Sequence, residues 1–343
     1  MKASIFTLFL GSLILLLGSC DDSPIGIRAT GVAYDIVVVT DPTSWNNNIG
    51  DLIKEELYSS VPGIPQDEAS MQITYVPTPE FKGMLTYVRN ILIVNIDNSL
   101  YTKVSLKTEQ NRWSNGQTVL YITTPDESLL ADYLNENKGK IVDFFTKIEM
   151  RRMAQQFREK YSVLVMEKLQ SKFNVMLNVP SEMTSFGKDT TDFFWTSNNA
   201  NRGRMDIVVY TFPYTDPQTF TLEYLLAQRN AVLGANIPGS FPNSYMATDT
   251  IYSRPKYTSI SLYGKYCGVL RGLWQMEGDM MGGPFVSYAR LDEENNRVVV
   301  AEGFVYAPEM DKKTLIRRLE ASLNTLRFPS EIEASLDGHV IND

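Results

Sequence analysis

The first clear feature in the pattern of apolar and polar positions is the run 5–17, broken only by Thr7, Gly11 and Ser12. It is shorter than the roughly 20 apolar residues of a bilayer span, and Lys2 precedes it, so it reads as a secretory signal. The β-branched run 34–40 predicts a buried strand. After Asp41-Pro42 the apolar positions take helical spacing at Ile49, Leu52, Ile53 and Leu57, until Pro62-Gly63 stops the helix. Strands follow at 71–76, 90–96 and, after the turn signal Asn115-Gly116, at 117–123. Thr124 as cap, Pro125 at the first helical position and Glu127 three residues after the cap predict the next helix. Residues 32–137 thus read as a small N-terminal α/β domain.

From Ile141 to Phe173 apolar residues recur about every four positions, which predicts one long connecting helix over 138–174, on the order of 50 Å at the α-helical rise. Its other face carries Lys147, Arg151, Arg152, Arg158, Lys160, Lys168 and Lys172. That arrangement is the solvated face behind a core-facing stripe, in preference to a membrane-surface helix. Beyond it, strand-like runs at 174–179, 192–196 and 205–211 precede a helix capped by Asp216-Pro217 and stopped by Gly234. A strand region 256–276 follows, then a hairpin pairing 285–291 with 297–307, then a helix from Asp311 that ends before Pro329. This order predicts a mostly antiparallel sheet with covering helices over 175–330, and the chain as a whole is α+β. Residues 331–343 read as a flexible polar tail. Thr40-Asp41-Pro42 and Thr215-Asp216-Pro217 each sit between strand and helix, an echo compatible with a duplicated unit or with ordinary use of Asp and Pro at such junctions.

The end of the apolar leader is more specific than its length. Leu17 stands where ordinary signal cleavage requires a small residue, and Leu17-Gly18-Ser19-Cys20 resembles the bacterial lipoprotein box. The resemblance implies a signal peptide over 1–19, an acylated N-terminal Cys20, and a tether over 20–31 that lifts the body off a membrane. Multiple acyl chains give the stable anchoring that one chain does not. Asp21-Asp22 has two readings: an inner-membrane retention signal of the enteric type, or a surface-export signal of the Bacteroides type.

Removing residues 1–19 takes away one lysine and no acid, which moves the net charge from −8 to −9. A chain this acidic lacks the basic footprint of a nucleic-acid binder. With Cys20 lipidated, only Cys267 is left, so no intramolecular disulfide can form; Cys267 reads as a small buried hydrophobe. His339 is the single histidine, and its place in the tail argues against Ser-His-Asp and Cys-His hydrolysis and histidine-based zinc sites. Neither a cofactor nor a metal site is expected.

The stretch 274–284 holds the least ordinary composition: Trp274 as a candidate ligand platform beside Glu277 and Asp279, with Gly278, Gly282 and Gly283. Two carboxylates near an aromatic ring suit glycoside hydrolysis, whereas a glycine-bearing loop explains the same residues without chemistry. The acidic loop 292–296 lacks the ligand spacing of a calcium loop. Asp189-Thr190-Thr191 and Asp249-Thr250-Ile251 resemble O-glycan acceptor triplets of Bacteroides-type exported proteins, at Thr190 and Thr250. The lipoprotein box, this element order, and the stretches 271–274, 282–285 and 303–308 together resemble a family of Bacteroides-group envelope lipoproteins whose domain has no assigned function. The resemblance implies lipid anchorage to a bacterial membrane, expected to be the outer one on its periplasmic or surface face, and transfers no active site. The leading expectation is a non-catalytic protein binding an envelope protein, a glycan or a small ligand. The alternative is a glycan-active hydrolase using Glu277 and Asp279.

Overall fold

In the computed structural model, which describes residues 26–336, the β-branched run forms β1 (Asp35–Thr40). With β2 (Gln72–Pro77), β3 (Asn90–Ile96), β4 (Ser105–Gln110) and β5 (Thr118–Thr124) it makes a sheet of order β2-β1-β3-β5-β4, with β4 alone antiparallel to its neighbour. Asp41 caps a single turn, α1 (Pro42–Trp45), and Asn47 caps α2 (Asn48–Leu57). Ile36 and Val38 share a core with Ile49 and Ile53 of α2, Leu130 of α3 (Glu127–Glu136) and Phe145 of α4 (Lys140–Glu159). Val37 and Val39 pack on the other face with Val76, Ile91 and Val119, covered by Phe81, Leu85 and Trp113. Burial on both faces is why the run shows no polar alternation. Strand β4 goes unsignalled in the sequence because it is a largely exposed edge. Thr124 closes β5; the cap of α3 is instead Asp126, whose carboxylate accepts the Leu129 N–H at 2.9 Å.

The single helix expected over 138–174 is two, α4 and α5 (Val163–Phe173), separated by Lys160 in an extended conformation. The cause is packing: Ile141 and Phe145 of α4 belong to the N-terminal core, whereas Val165, Leu169 and Phe173 of α5 belong to the core of the second unit. Ser162 stabilises the break, its N–H donating to Val179 O at 3.0 Å and its hydroxyl to Met183 O at 3.1 Å. Arg152 is also not a solvated cation. It donates to Asn90 Oδ1 (2.7 Å), Glu149 Oε1 (2.6 Å), Arg89 O (3.1 Å) and Thr118 Oγ1 (3.0 Å).

The second unit is an antiparallel sheet of β6 (Ser185–Phe186), β7 (Phe193–Ser197), β8 (Arg204–Pro213), β9 (Tyr245–Thr248), β10 (Lys256–Leu262), β11 (Lys265–Glu277), β12 (Gly282–Asp292) and β13 (Arg297–Tyr306). Its order is β10-β11-β12-β13-β8-β7-β6, and β9 continues the β10 edge along the far end of β11. Val298 and Val300 face one core with Leu225 of α6 (Leu222–Asn236), and Val299 and Ala301 face the other with Leu319 of α7 (Lys313–Leu323). The α+β expectation holds, with three local differences. Residues 256–276 are two strands joined by Tyr263 and Gly264, both at positive φ, the two-residue turn that matches strand twist. Asp216 caps a short 3₁₀ turn, and Thr221 caps α6, which runs through Gly234 to Asn236. Residues 174–179 form a buried connection with one bridge, Met176 to Arg327.

Two expected loose ends are folded. Residues 331–336 belong to α8 (Pro329–Leu336), and Glu331 pairs with the buried Arg290; 337–343, with His339, lie outside the described residues. In the expected tether, Ala29 N–H donates to Asn115 O (2.9 Å), Asn115 N–H to Ile27 O (2.8 Å) and Thr30 N–H to Tyr87 O (2.8 Å), so 27–30 are fixed to the first unit. Cys20 lies outside the described residues.

The units meet along α4 and α7. Neither helix has a cap of its own, and a distant glutamate supplies each. Glu56 accepts from Gly139 N (2.7 Å) and Ile141 N (2.9 Å) at the start of α4. Glu68 accepts from Lys312 N (2.7 Å) and Lys313 N (2.9 Å) at the start of α7, across the seam. Arg317 adds a bond to Ser70 O at 2.7 Å while its guanidinium lies over the Tyr34 ring.

Candidate ligand pocket

Where β8 and β12 end and β11 begins, the sheet stops short of the segments that follow α5 and precede α8. The gap is a cavity of about 440 Å³. Tyr214, Phe220, Tyr266 and Phe328 supply aromatic wall, Leu291 contributes apolar surface, and Asp292, Glu293, Glu294, Glu331 and Lys265 bring charge. Aromatic walls with a few convergent polar groups are the usual make-up of a small-ligand site.

The walls are braced by one another. Phe220 meets Tyr266 edge-on at 5.3 Å and Tyr214 at 6.2 Å, and the Tyr266 and Tyr257 hydroxyls are 2.5 Å apart. Burial, and then the Tyr266 hydroxyl, push the Tyr257 hydroxyl above its ordinary value. The turn that presents Phe220 is held by the Asp216 cap, and the loop that presents Glu293 and Glu294 by Asp292.

The charges behind the walls are committed. Asp292 accepts from Arg297 Nε (2.8 Å) and Asn295 Nδ2 (2.9 Å), which is where the acidic hairpin loop spends its first carboxylate. Arg290 donates to Leu326 O (2.8 Å), Leu262 O (3.2 Å) and both oxygens of Glu331, and Glu331 Oε2 also accepts the Phe328 N–H at 2.9 Å. At the rim, Lys265 and Glu293 are 3.3 Å apart, and Glu294 is exposed with no ion pair among the described residues. The inner charges fix shape, and Lys265, Glu293 and Glu294 remain accessible to a ligand. No single segment announces this site, since its residues come from five stretches; Asp216-Pro217 and the acidic loop are its only visible traces in the sequence.

The residues singled out from sequence do not gather here. Trp274 is 3% exposed, its indole N–H donating to Val305 O at 3.1 Å and its ring set edge-on to Phe304, so it is a core residue with no face for a ligand. Glu277 is exposed at the end of β11 and accepts from Gln275 Nε2 at 2.7 Å. Asp279 accepts from Ser240 N (2.8 Å) and Met280 N (2.7 Å), and the Ser240 N–H holds its carboxyl below the usual range. An acid so held keeps no proton to donate at neutral pH, and its visible work is to tie the β11–β12 turn to the loop before β9. Cys267 is fully buried among Val269, Val286 and Tyr288, where burial pushes its thiol up to about 12. Thr190 and Thr250 are both exposed. Among the described residues no group of three or more His, Cys, Asp or Glu side chains is placed to hold a metal ion, and no helix is long and apolar enough to cross a membrane.

Both halves of the chain resemble families of domains of unknown function: residues 29–158 match DUF8532 and residues 162–325 match DUF4837. No curated protein matches. Among solved structures, the Saccharomyces cerevisiae Ran-binding protein Mog1p is 8% identical over 46% of this chain and 93% of its own, with a TM-score of 0.29. A protein from Bacteroides thetaiotaomicron VPI-5482 is 13% identical over 45% of each chain, with a TM-score of 0.24. Likenesses of that size carry no argument for fold or function.

Proposed function

We propose that this protein is a lipid-anchored component of a bacterial cell envelope, of the Bacteroides-group lipoprotein kind, that binds a small ligand or a segment of an envelope partner in the aromatic pocket. The observation that carries the binding role is the cavity of about 440 Å³ with its braced walls, in which the inner charges are buried and paired while the rim charges, the Lys265–Glu293 pair and Glu294, are exposed. The observation that carries the anchor is Leu17-Gly18-Ser19-Cys20. Membrane-fraction analysis of Cys20→Ala tests the anchor: the variant is expected to leave the membrane and to take up no labelled fatty acid, and unchanged association overturns the reading.

Titration of the chain from Cys20 onward with soluble peptidoglycan fragments and envelope oligosaccharides tests the pocket. Binding that weakens at least tenfold in Phe220→Ala and Tyr266→Ala, about the loss of one aromatic contact, supports the proposal. Binding that ignores both variants overturns it. Turnover of an oligosaccharide that disappears in the double variant Glu277→Gln, Asp279→Asn would instead establish the glycan-active alternative.

A further inference from the structure

The first unit exposes apolar side chains on the segments by which the chain enters it. Met84 is 81% exposed, and Ile27 and Val32 are also exposed. Their segments are bound into one patch by the backbone bonds of 27–30 to Tyr87 and Asn115. Arg28, Lys82 and Arg112 are exposed on the same segments, and the Arg112 guanidinium lies 5.8 Å from the Trp113 ring, which is itself set edge-on to Phe81. Arg112 has a loose partner in Glu109 at 3.7 Å; Arg28 and Lys82 have no ion pair among the described residues. With Glu80 and Glu109 counted, the segments 27–32, 80–87 and 109–116 carry three basic and two acidic side chains, net +1 in a chain of net charge −8.

The chain enters at this patch. Gly26 follows Cys20 by six residues, a length that spans no more than roughly 20 Å even when fully extended. We infer that this surface is the face the protein lays on an anionic bilayer, with Ile27, Val32 and Met84 entering the headgroup region and Arg28, Lys82 and Arg112 meeting lipid phosphates. The inference rests on Cys20 being the anchor. Basic residues beside an anchor are drawn to an anionic leaflet within about a Debye length of 8–10 Å, a range the short lead brings within reach. In the second unit, exposed Phe241, Tyr245 and Met280 lie by the acids Glu277 and Asp279, which lipid phosphates repel, and exposed Ile251 and Tyr252 lie more than 200 residues along the chain from the lead that follows Cys20.

The test uses the chain from Cys20 onward, coupled through the Cys20 thiol to maleimide-phospholipid in vesicles of phosphatidylcholine and phosphatidylglycerol; Cys267 is buried and does not compete. Amide hydrogen exchange is compared with the uncoupled protein. Exchange across 82–87 and 111–116 is expected to slow several-fold, less so at high salt. The triple variant Arg28→Glu, Lys82→Glu, Arg112→Glu is expected to lose the slowing while remaining coupled and folded by circular dichroism. Slowing that falls on 240–245 and 278–281, that survives charge reversal, or that is absent overturns the inference. Because the coupling is chemical, none of these outcomes depends on whether the cell acylates Cys20, which the Cys20→Ala fractionation reads separately.

Discussion

Each unit buries a glutamate against arginine, and the two do it differently. In the second unit Glu302 and Arg229 are both fully buried. Arg229 reaches from α6 onto the sheet, bonds both Glu302 oxygens at 2.7–3.0 Å and Thr248 Oγ1 at 2.7 Å, and rests on the Phe285 ring at 3.8 Å. In the first unit Glu149 is also buried, but it sits where α4 crosses the rim of the sheet. It is shared among Arg89, Arg152 and Asn90, with both arginines partly open to water. The same chemistry is thus a single pair at the centre and a redundant cluster at the edge. Central position removes water as a substitute partner, so loss of one member there strands a charge.

Arg229→Met breaks the comparison most severely. It leaves Glu302 unpaired and should cost about 3–5 kcal/mol at neutral pH, read as a drop in the urea midpoint. Burial already raises the Glu302 carboxyl, with Arg229 opposing it. In the variant burial is opposed only by the Ser287 hydroxyl, so the folded value lies further above the unfolded one. The sign follows: the variant keeps its stability below the ordinary carboxylate value and loses it as pH rises through the folded value. A variant whose stability does not fall with pH would refute the single-pair picture. Arg152→Met should cost less, about 1.5–3 kcal/mol, because Arg89 and Asn90 still hold Glu149. Equal losses in the two variants would erase the distinction. Lys265→Met removes an exposed pair with Glu293 and should change stability by less than about 1 kcal/mol, which sets the baseline for both.

Legibility follows the same contrast between local and distant causes. Residues 37–39 announce a strand because the covering on both faces is written into consecutive side chains, and Leu315, Ile316, Leu319 and Leu323 announce a helix by spacing. The break at Lys160 is hidden because each side of it looks like good helix; only the two different cores that α4 and α5 serve require the bend. Tyr263 takes a left-handed conformation that β-rich neighbours disguise. Pro329 looks like a stop after one helix and is the start of another, because the pairing of Glu331 with Arg290 spans 41 residues. The pocket is the extreme case: Tyr214, Phe220, Tyr266 and Phe328 become neighbours only once the sheet is assembled. Trp274 misleads for the opposite reason, since a local cluster of striking residue types turned out to be core and turn.

The glutamate caps carry a consequence for how such proteins can be rebuilt. The two family matches stop and resume at 158 and 162, on either side of the α4–α5 break, as if the chain were two interchangeable cassettes. Yet α7 in the second cassette begins with Lys312 and Lys313 at the positive end of its dipole, an arrangement that is unfavourable on its own, and the carboxylate that answers it, Glu68, lies in the first. A graft of 162–336 onto a foreign partner would carry that open helix end with it. Recombination at this boundary therefore succeeds only with a partner that brings an acid to the same spot.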